Sequence, residues 1–560
     1  MINLKILKMR ILIKIAILLL TISRLCESAN FADEVSEQLR QRIESGGVPL
    51  TIMIRDEAIL AATVLPHFYE QRVFEPAWSD QSGALPVALD LLQALKRADD
   101  EGLKQEDYHF AKIQSILREL NTNAKINSEF DSGIAVNFDL LCTDAFLIYG
   151  AHLIAGRIHP ETIDPQWRAN LREVDLAALL QRALDSNEID RALKSLLPPQ
   201  NGYRLLKKAY QKYRAIKENG GWTLIEKGDP LKIGDSNQRV YAVRQRLRLT
   251  SDLGMESAET DSLFDENLNR AVQIFQMRHG LDASGTVDAA TLQELNVPVS
   301  KRLVQIRVNL ERWRWLPQDL GERHILVNIA NFALDCIDEG RSELNMRVIV
   351  GKQYRKTPVF SDKITYMVFN PYWHVPNNIA KQDILPLIKK DPEYLTKKKI
   401  KVFRSWEANT EEMNPADINW SEVTGENLTF RFRQDPGPEN ALGRIKFMFP
   451  NQFNVYLHDT PTRDLFQKSK RDFSSGCIRV ENPIGLALFL LKTDKEWSIQ
   501  KIEKELSNMV EHTIRLPEAV PVHLLYWTAW CDGNGMIQFR KDIYGRDRKL
   551  LAALNEEPYD

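Results

Sequence analysis

The stretch NVYLHDTPTRDLFQKSKRDFSSGCIRVENP, residues 454–483, gives the clearest indication of fold in this sequence. It opens with alternating apolar and polar side chains. Because alternate side chains of a strand share a face, Val455 and Leu457 are predicted to point into a core while Tyr456 and His458 point to the other side. The sequence therefore predicts a strand that presents His458 outward.

A second strand is predicted around Cys477. By the same alternation, Ile478 and Val480 are directed inward, and Cys477 and Arg479 share the outer face. Asn482 followed by Pro483 then predicts a helix start, because asparagine caps helices and proline suits their first position. The strand that carries the cysteine is thus expected to run directly into a packed helix.

Cys477 is the predicted nucleophile and His458 its base. The thiolate is the attacking form, and an unperturbed cysteine has a pKa of about 8.5, so a nearby imidazole would take its proton while Arg479 adds positive potential. Asp459 would point the opposite way along the strand, so a backbone carbonyl is expected to orient the imidazole. Glycine permits close backbone approach, and the N–H groups of Gly476 and Cys477 are predicted oxyanion donors. On the residues alone, an inert buried cysteine remains the alternative.

The alternation extends outward from this stretch, for example over Ile325 and Val327 and over Ile445 and Phe447, and predicts a mainly β catalytic domain at residues 323–515. Charged sequence at about 376–425, where the alternation lapses, predicts a helical insertion that caps the site. Ahead of it, the segment FNPYWHVP combines polar and aromatic residues between prolines. The predicted cleft wall comprises Asn370, Tyr372, Trp373 and Tyr456, with His374 as a weaker candidate base.

The N-terminal half has a helical period. Residues 30–230 are predicted to form a helical scaffold without catalytic residues, with apolar positions such as Leu85, Leu89, Phe138 and Leu141 on helix faces. Residues 231–298 are predicted to form three short helices, the second capped by Asp265 and the third by Thr286. Residues 516–560 are a C-terminal segment expected to pack on the scaffold or the catalytic domain.

Composition limits the possible functions. The chain has 560 residues and a net charge of -2, so no global positive field indicates nucleic acid or an anionic membrane surface. Five cysteines without CxxC spacing indicate neither a metal site nor a disulfide framework. Residues 1–29 combine basic residues, an apolar run and small residues, which predicts a cleaved export signal, with a retained membrane anchor as the alternative.

Two segments resemble known families. FDENLNRAVQIFQMRHGLDASGTVDAATLQELN, residues 264–296, resembles the three-helix peptidoglycan-binding module. The cysteine region resembles the YkuD-like catalytic domain of the L,D-transpeptidases, with fifteen residues between the histidine and the first serine, and Ser475 stands where many members have a second histidine. The motif positions are occupied by His458, Ser474, Ser475, Gly476, Cys477, Ile478 and Arg479.

The resemblance implies a multidomain α+β protein of the large periplasmic, YcbB-like subgroup, with a scaffold, a binding module and a capping insertion. It also implies a donor tetrapeptide stem, attack by Cys477 on its third residue, release of D-alanine, and an acceptor amine that resolves a thioester. Ser474, Ser475 and Gly476 would support the oxyanion, and Arg479 would hold a substrate carboxylate or form a structural ion pair. Carbapenem-type β-lactams are expected to acylate Cys477.

Further expectations are a periplasmic location, no cofactor or metal, and contacts with other cell-wall synthesis proteins. A hydrolase is the first alternative, in which water resolves the thioester of a peptidoglycan carboxypeptidase or endopeptidase. A non-catalytic wall-binding scaffold with an unreactive thiol is the second.

Overall fold

The architecture was described from a computed structural model of the chain. The described residues are Lys14 and 31–47, 50–126, 131–169, 171–254, 262–407 and 410–556. The predicted export signal at residues 1–29 therefore lies outside the described residues, apart from Lys14.

A helical bundle forms the N-terminal scaffold, as predicted, around the long helix Ser132–Ala155. Among the described residues, this is the one helix long and apolar enough to cross a membrane, and 83% of its apolar window is buried in the bundle. Phe138 and Leu141 are buried in the bundle, whereas Leu89 lies in the helix that its spacing predicted and is 48% exposed. The scaffold helices are residues 31–45, Val64–Gln71, Pro86–Lys96, Phe110–Ile126, Ser132–Ala155, Pro160–Ile163, Leu176–Ser186, Ile189–Ser195 and Asn201–Glu218.

Three helices with a core of their own form the next unit: Gln238–Leu249, Glu266–Arg278 and Ala289–Leu295. Asp265 caps the second helix, as predicted, by accepting from the Leu268 amide at 2.7 Å. The predicted cap of the third helix is wrong, because Asp288 and not Thr286 accepts from the Thr291 amide. The helix Val299–Arg314 then leads to the catalytic domain.

Nine strands form the catalytic domain and are labelled β1 to β9 in chain order. They are β1 Arg323–Asn328, β2 Ala333–Asp338, β3 Arg341–Gly351, β4 Phe360–Phe369, β5 Ile445–Met448, β6 Leu457–His458, β7 Asp472–Ser474, β8 Ile478–Val480 and β9 His512–Leu525.

The strands close into a barrel. Their order is β7-β3-β8-β6-β5-β4-β9-β1-β2, and β2 also pairs with β3, which joins the two ends and leaves β7 beside β3. Ile325, Val327, Ile445, Phe447 and Leu457 are buried in its core, as the alternation predicted. The helices Pro483–Leu490 and Ile499–Ser507 pack against this domain, and the Asn482 side chain caps the first of them through the Gly485 amide at 2.9 Å.

The insertion between β4 and β5 is a mixed α/β unit, not the helical segment that the sequence predicted. A four-stranded sheet of Trp373–His374, Ile400–Phe403, Glu412–Met413 and Arg431–Gln434 covers its own apolar core. These strands are short and far apart in sequence, so local periodicity did not reveal their pairing. Its helical turns are Asn377–Ile379, Ala380–Ile384, Leu385–Lys390, Tyr394–Lys397 and Pro415–Asp417.

The predicted boundary between residues 515 and 516 falls inside β9, which pairs with β4 and β1 through Leu525. Residues 516–525 are therefore part of the barrel, and the remaining C-terminal elements are Ala529–Cys531, Ile537–Phe539 and the helix Arg546–Asn555. Arg546 joins the scaffold to the catalytic domain, because its Nε donates to Asp164 at 2.7 Å and its terminal nitrogens lie 3.3 and 3.4 Å from the Thr357 carbonyl.

Removing the carboxylate that faces Arg546 is expected to destabilise the assembled protein. Asp164→Ala leaves a buried guanidinium without its counter-charge, which costs about 3–5 kcal/mol in comparable buried pairs. Differential scanning calorimetry should show a lowered unfolding transition. The matched control is Asp190→Ala, in an exposed pair with Arg97, which should change stability by less than about 1 kcal/mol. Equal effects of the two substitutions would contradict this assignment.

Candidate active site

Three neighbouring strands place three basic side chains in one row. Lys446 of β5 pairs with His458 of β6, and His458 pairs with Arg479 of β8. Residues that face each other across paired strands share a face, and the alternate residues Phe447 and Leu457 are buried inside. The outer face therefore carries the row Lys446, His458 and Arg479.

Cys477 lies beside this row, next to Tyr456. The amide of Ile478 donates to the Tyr456 carbonyl at 3.1 Å, which brings the cysteine against that tyrosine. Burial raises the pKa of the Cys477 thiol, while hydrogen bonding to Tyr456 and the charges of Lys446 and Arg479 oppose that rise. Burial and the neighbouring thiol also hold the pKa of Tyr456 well above its usual range, so its hydroxyl remains a donor.

Cys477 differs from the other described cysteines in its accessibility. Cys142, Cys336 and Cys531 are buried, whereas Cys477 is partly exposed. Burial raises the pKa of each of the three buried thiols, that of Cys531 to about 12. Within the described ranges, Cys477 is thus the cysteine best placed to meet an external electrophile.

His458 is oriented by a backbone carbonyl, as the sequence analysis expected. Its Nδ1 lies 2.6 Å from the carbonyl oxygen of Asp459, so Nδ1 carries a proton and donates it. The Asp459 carboxylate points elsewhere and accepts from the Arg444 amide at 2.9 Å. Between these two described residues, the structure records no hydrogen bond from the imidazole to the Cys477 thiol.

The imidazole of His458 is held in its neutral form. Burial lowers its pKa to about 3, and the charges of Arg479 and Lys446 on either side act in the same direction. A resting thiolate and imidazolium pair is therefore disfavoured, although the sequence analysis had assigned that state to the pair.

The backbone before the nucleophile adopts a conformation that favours glycine, because Gly476 has φ of +118°. Its amide donates to Ser474 Oγ at 3.1 Å, and the same hydroxyl donates to the Cys477 carbonyl. The predicted use of the Gly476 N–H as an oxyanion donor is therefore wrong, since that donor is already engaged. No hydrogen bond is recorded for the Cys477 amide within the described part of the chain, and it stays the candidate donor.

Thr357 supports this loop from beneath. It is fully buried, and its hydroxyl donates to the Gly476 carbonyl at 2.9 Å while it accepts from the Gly351 amide at 2.9 Å. The Thr357 carbonyl in turn receives Arg546, which binds scaffold residue Asp164. The loop before the nucleophile is thus braced through the C-terminal helix against the scaffold.

Ser475 connects the loop before Cys477, residues 474–477, to the insertion. Arg355 Nη1 donates to Ser475 Oγ at 2.8 Å and also pairs with Asp383, and Arg355 Nη2 donates to Gln382 at 2.7 Å. Gln382 and Asp383 belong to the helical turn Ala380–Ile384 of the insertion. The serine that precedes Gly476 is therefore held by an arginine.

Arg479 forms no ion pair with any described carboxylate. Its Nη1 donates to Thr462 Oγ1 at 3.1 Å, and its buried Nε has no recorded partner among the described residues. The structural ion pair that was one predicted role of Arg479 is therefore not formed with a described residue. Its guanidinium retains donors for an anionic ligand.

The residues of the FNPYWHVP segment separate in the structure. Asn370 is buried and donates to the carbonyls of Glu505 and Val510, so its assignment to the cleft wall is wrong. The Tyr372 ring lies 4.7 Å from the Arg433 guanidinium, and Trp373 packs on the core of the insertion. Burial and the charges of Arg431 and Arg433 lower the pKa of His374.

Comparison with known families agrees with this geometry. Residues 322–497 match the L,D-transpeptidase catalytic domain, residues 236–295 a "Putative peptidoglycan binding domain" and residues 63–209 a scaffold domain. The chain therefore contains a YkuD-type L,D-transpeptidase catalytic domain joined to a peptidoglycan-binding domain. A search of the described residues for groups of three or more possible metal ligands finds none.

A curated relative, "Putative L,D-transpeptidase" of Haemophilus influenzae, is 36% identical over 271 residues. The match covers 47% of this chain and 54% of the relative, so the chain spans about half of that protein. Among solved structures, the L,D-transpeptidase of Stackebrandtia nassauensis is 13% identical, with 54% of this chain and 97% of that chain covered at a TM-score of 0.22. The L,D-transpeptidase of Xylanimonas cellulosilytica is 14% identical, with 54% of this chain and 99% of that chain covered at a TM-score of 0.17.

The His458 imidazole is expected to stay neutral through the physiological pH range. With a folded pKa of about 3, it should take up no proton as the pH falls from 8 to about 4, whereas an unperturbed histidine titrates near 6.5. NMR of the protein carrying ¹³C-labelled histidine, with the signal assigned through His458→Gln, measures this directly. A transition of that signal between pH 6 and 7 would contradict the electrostatic account.

Proposed function

We propose that this protein is an L,D-transpeptidase that cross-links peptidoglycan stem peptides through a thioester on Cys477. The observation that carries the proposal is the outer face of β5, β6 and β8, which carries a neutral imidazole and two cations without an ion-paired carboxylate, with a partly exposed thiol at the start of β8. The match of residues 322–497 to the catalytic domain family supports it.

In the first half-reaction, Cys477 attacks the carbonyl carbon of the third, diamino acid residue of a donor tetrapeptide. A carbon–sulfur bond forms, the amide bond to D-alanine breaks, and D-alanine leaves with a proton on its amine. The neutral His458 can accept the thiol proton and pass it to that amine. Because its imidazolium is disfavoured, we infer that His458 carries the extra proton only while negative charge is present on the sulfur or the oxyanion.

In the second half-reaction, the side-chain amine of an acceptor stem attacks the thioester. A new amide bond forms, the carbon–sulfur bond breaks, and the thiol is regenerated as His458 relays the proton from the amine. The Cys477 amide would stabilise the oxyanion in both halves. Arg479, with free guanidinium nitrogen, would hold a stem carboxylate through paired hydrogen bonds.

The wider architecture fits a substrate that is a polymer. The peptidoglycan-binding domain would hold a glycan strand, and the insertion, tied to the loop before Cys477 through Arg355, would cover a bound stem. The export signal expected at residues 1–29 and the chemistry of the substrate support a periplasmic location. These proposals concern the whole protein, of which the curated relative shares about half.

Product analysis tests the proposed reaction. Purified protein and its Cys477→Ala variant would be incubated with tetrapeptide-bearing muropeptides, and the products analysed by mass spectrometry. Cross-linked dimers that have lost D-alanine are expected from the wild type and not from the variant. Trimmed monomers alone would assign a carboxypeptidase or endopeptidase, and unchanged substrate with both proteins would assign a wall-binding scaffold.

A carbapenem is expected to acylate Cys477 and none of the other three described cysteines, because those thiols are buried. Intact mass spectrometry after incubation should show one adduct per chain, and peptide mapping should place it on Cys477. Cys531→Ala is the matched control and should retain the adduct. An adduct that persists in Cys477→Ala would contradict the assignment of the nucleophile.

A further inference from the structure

Lys446 is a partly buried basic residue of the site. The proposed reaction assigns it no role. It lies on β5, directly opposite His458, and its ammonium nitrogen is 4.0 Å from the centroid of the Tyr456 ring. Tyr456 adjoins Cys477 through the β6–β8 pairing. The lysine therefore reaches across the face of β6 toward the nucleophile.

No described carboxylate neutralises Lys446 in an ion pair: Glu511 is the acidic residue that acts on it, and no described Asp or Glu lies within ion-pair distance. A lysine that is half buried and unpaired is costly unless another negative charge compensates it. The thiolate of Cys477 is the available charge.

We propose that Lys446 is a further catalytic residue, whose ammonium group stabilises the negative charge that Cys477 carries as it attacks. The proposal rests on the proposed role of Cys477 as nucleophile. It answers a difficulty left by the neutral His458, since an imidazolium is not available to pair with the thiolate in the resting site. Lys446 and Arg479 supply that positive charge from the two strands that flank β6.

The two cations have different surroundings. Arg479 is fixed by its hydrogen bond to Thr462, and its guanidinium suits a planar carboxylate of the substrate. Lys446 has a compact ammonium group held over an aromatic ring, which suits a single negative atom such as sulfur. Lys446 would therefore stabilise the charge on the nucleophile, and Arg479 would bind the carboxylate of the donor stem.

The test is the pH dependence of Cys477 alkylation by iodoacetamide, measured by peptide mapping in wild type, Lys446→Met and Lys446→Arg. The cations around Cys477 are Lys446 of β5 and Arg479 of β8, the neutral titratable groups are Tyr456 and His458 of β6, and Glu511 acts on the lysine. Loss of one nearby positive charge should raise the pH at which Cys477 alkylation is half-maximal, its midpoint, by about one pH unit. Alkylation at pH 7 should then be about tenfold slower.

Lys446→Arg should restore the wild-type midpoint, because the charge is kept. Lys363→Met, at an exposed lysine of β4, is the matched control and should leave the midpoint unchanged. If Lys446→Met does not fold, Lys446→Gln replaces it. An unchanged midpoint in folded Lys446→Met or Lys446→Gln would overturn the proposal, even if thermal stability falls, because a packing role alone changes stability without changing thiol ionisation.

Alkylation requires no stem peptide, so this experiment separates two kinds of failure. A midpoint that depends on Lys446 supports the proposal for the thiol whatever the muropeptide products are. A midpoint independent of Lys446, with cross-linked products still formed, overturns only the role of the lysine and leaves the proposed transpeptidation in place.

Discussion

The parallel pairing of β6 with β8 is the constraint on which the candidate site depends. It sets Leu457 opposite Ile478 and His458 opposite Arg479, and thereby brings Tyr456 beside Cys477. A shift of one residue would turn every polar side chain of one strand into the core. Buried apolar residues on both strands resist such a shift, so the barrel core fixes the positions of the reactive groups.

Local alternation in the sequence was sufficient to assign these faces. The polar residues around Cys477 and His458 were predicted to lie outward, and the cap at Asn482 was predicted from two adjacent residues. The same alternation contained the signal for Lys446, which follows Ile445 and precedes Phe447, but that run was interpreted only as a core strand. Lys446 lies opposite His458 because β5 pairs with β6, and the periodicity of a single strand does not specify its partner.

Other features depended on contacts distant in sequence. The burial of Asn370 and the link from Ser475 through Arg355 to the insertion join segments that no local pattern relates. Arg355 holds the loop before Cys477 from the side of the insertion, and Thr357 holds it from beneath. The positive potential of the site then follows from two cations without ion pairs around a neutral imidazole.

Direct detection of the acyl-enzyme tests the central claim most sharply. The protein would be mixed with a tetrapeptide donor in the absence of an acceptor amine, quenched in acid, digested and mapped by mass spectrometry. The account predicts a thioester-linked tripeptide acyl group on the peptide that contains Cys477, with one equivalent of D-alanine released. Release of D-alanine with no adduct on Cys477 during turnover, or an adduct on another residue, would contradict it.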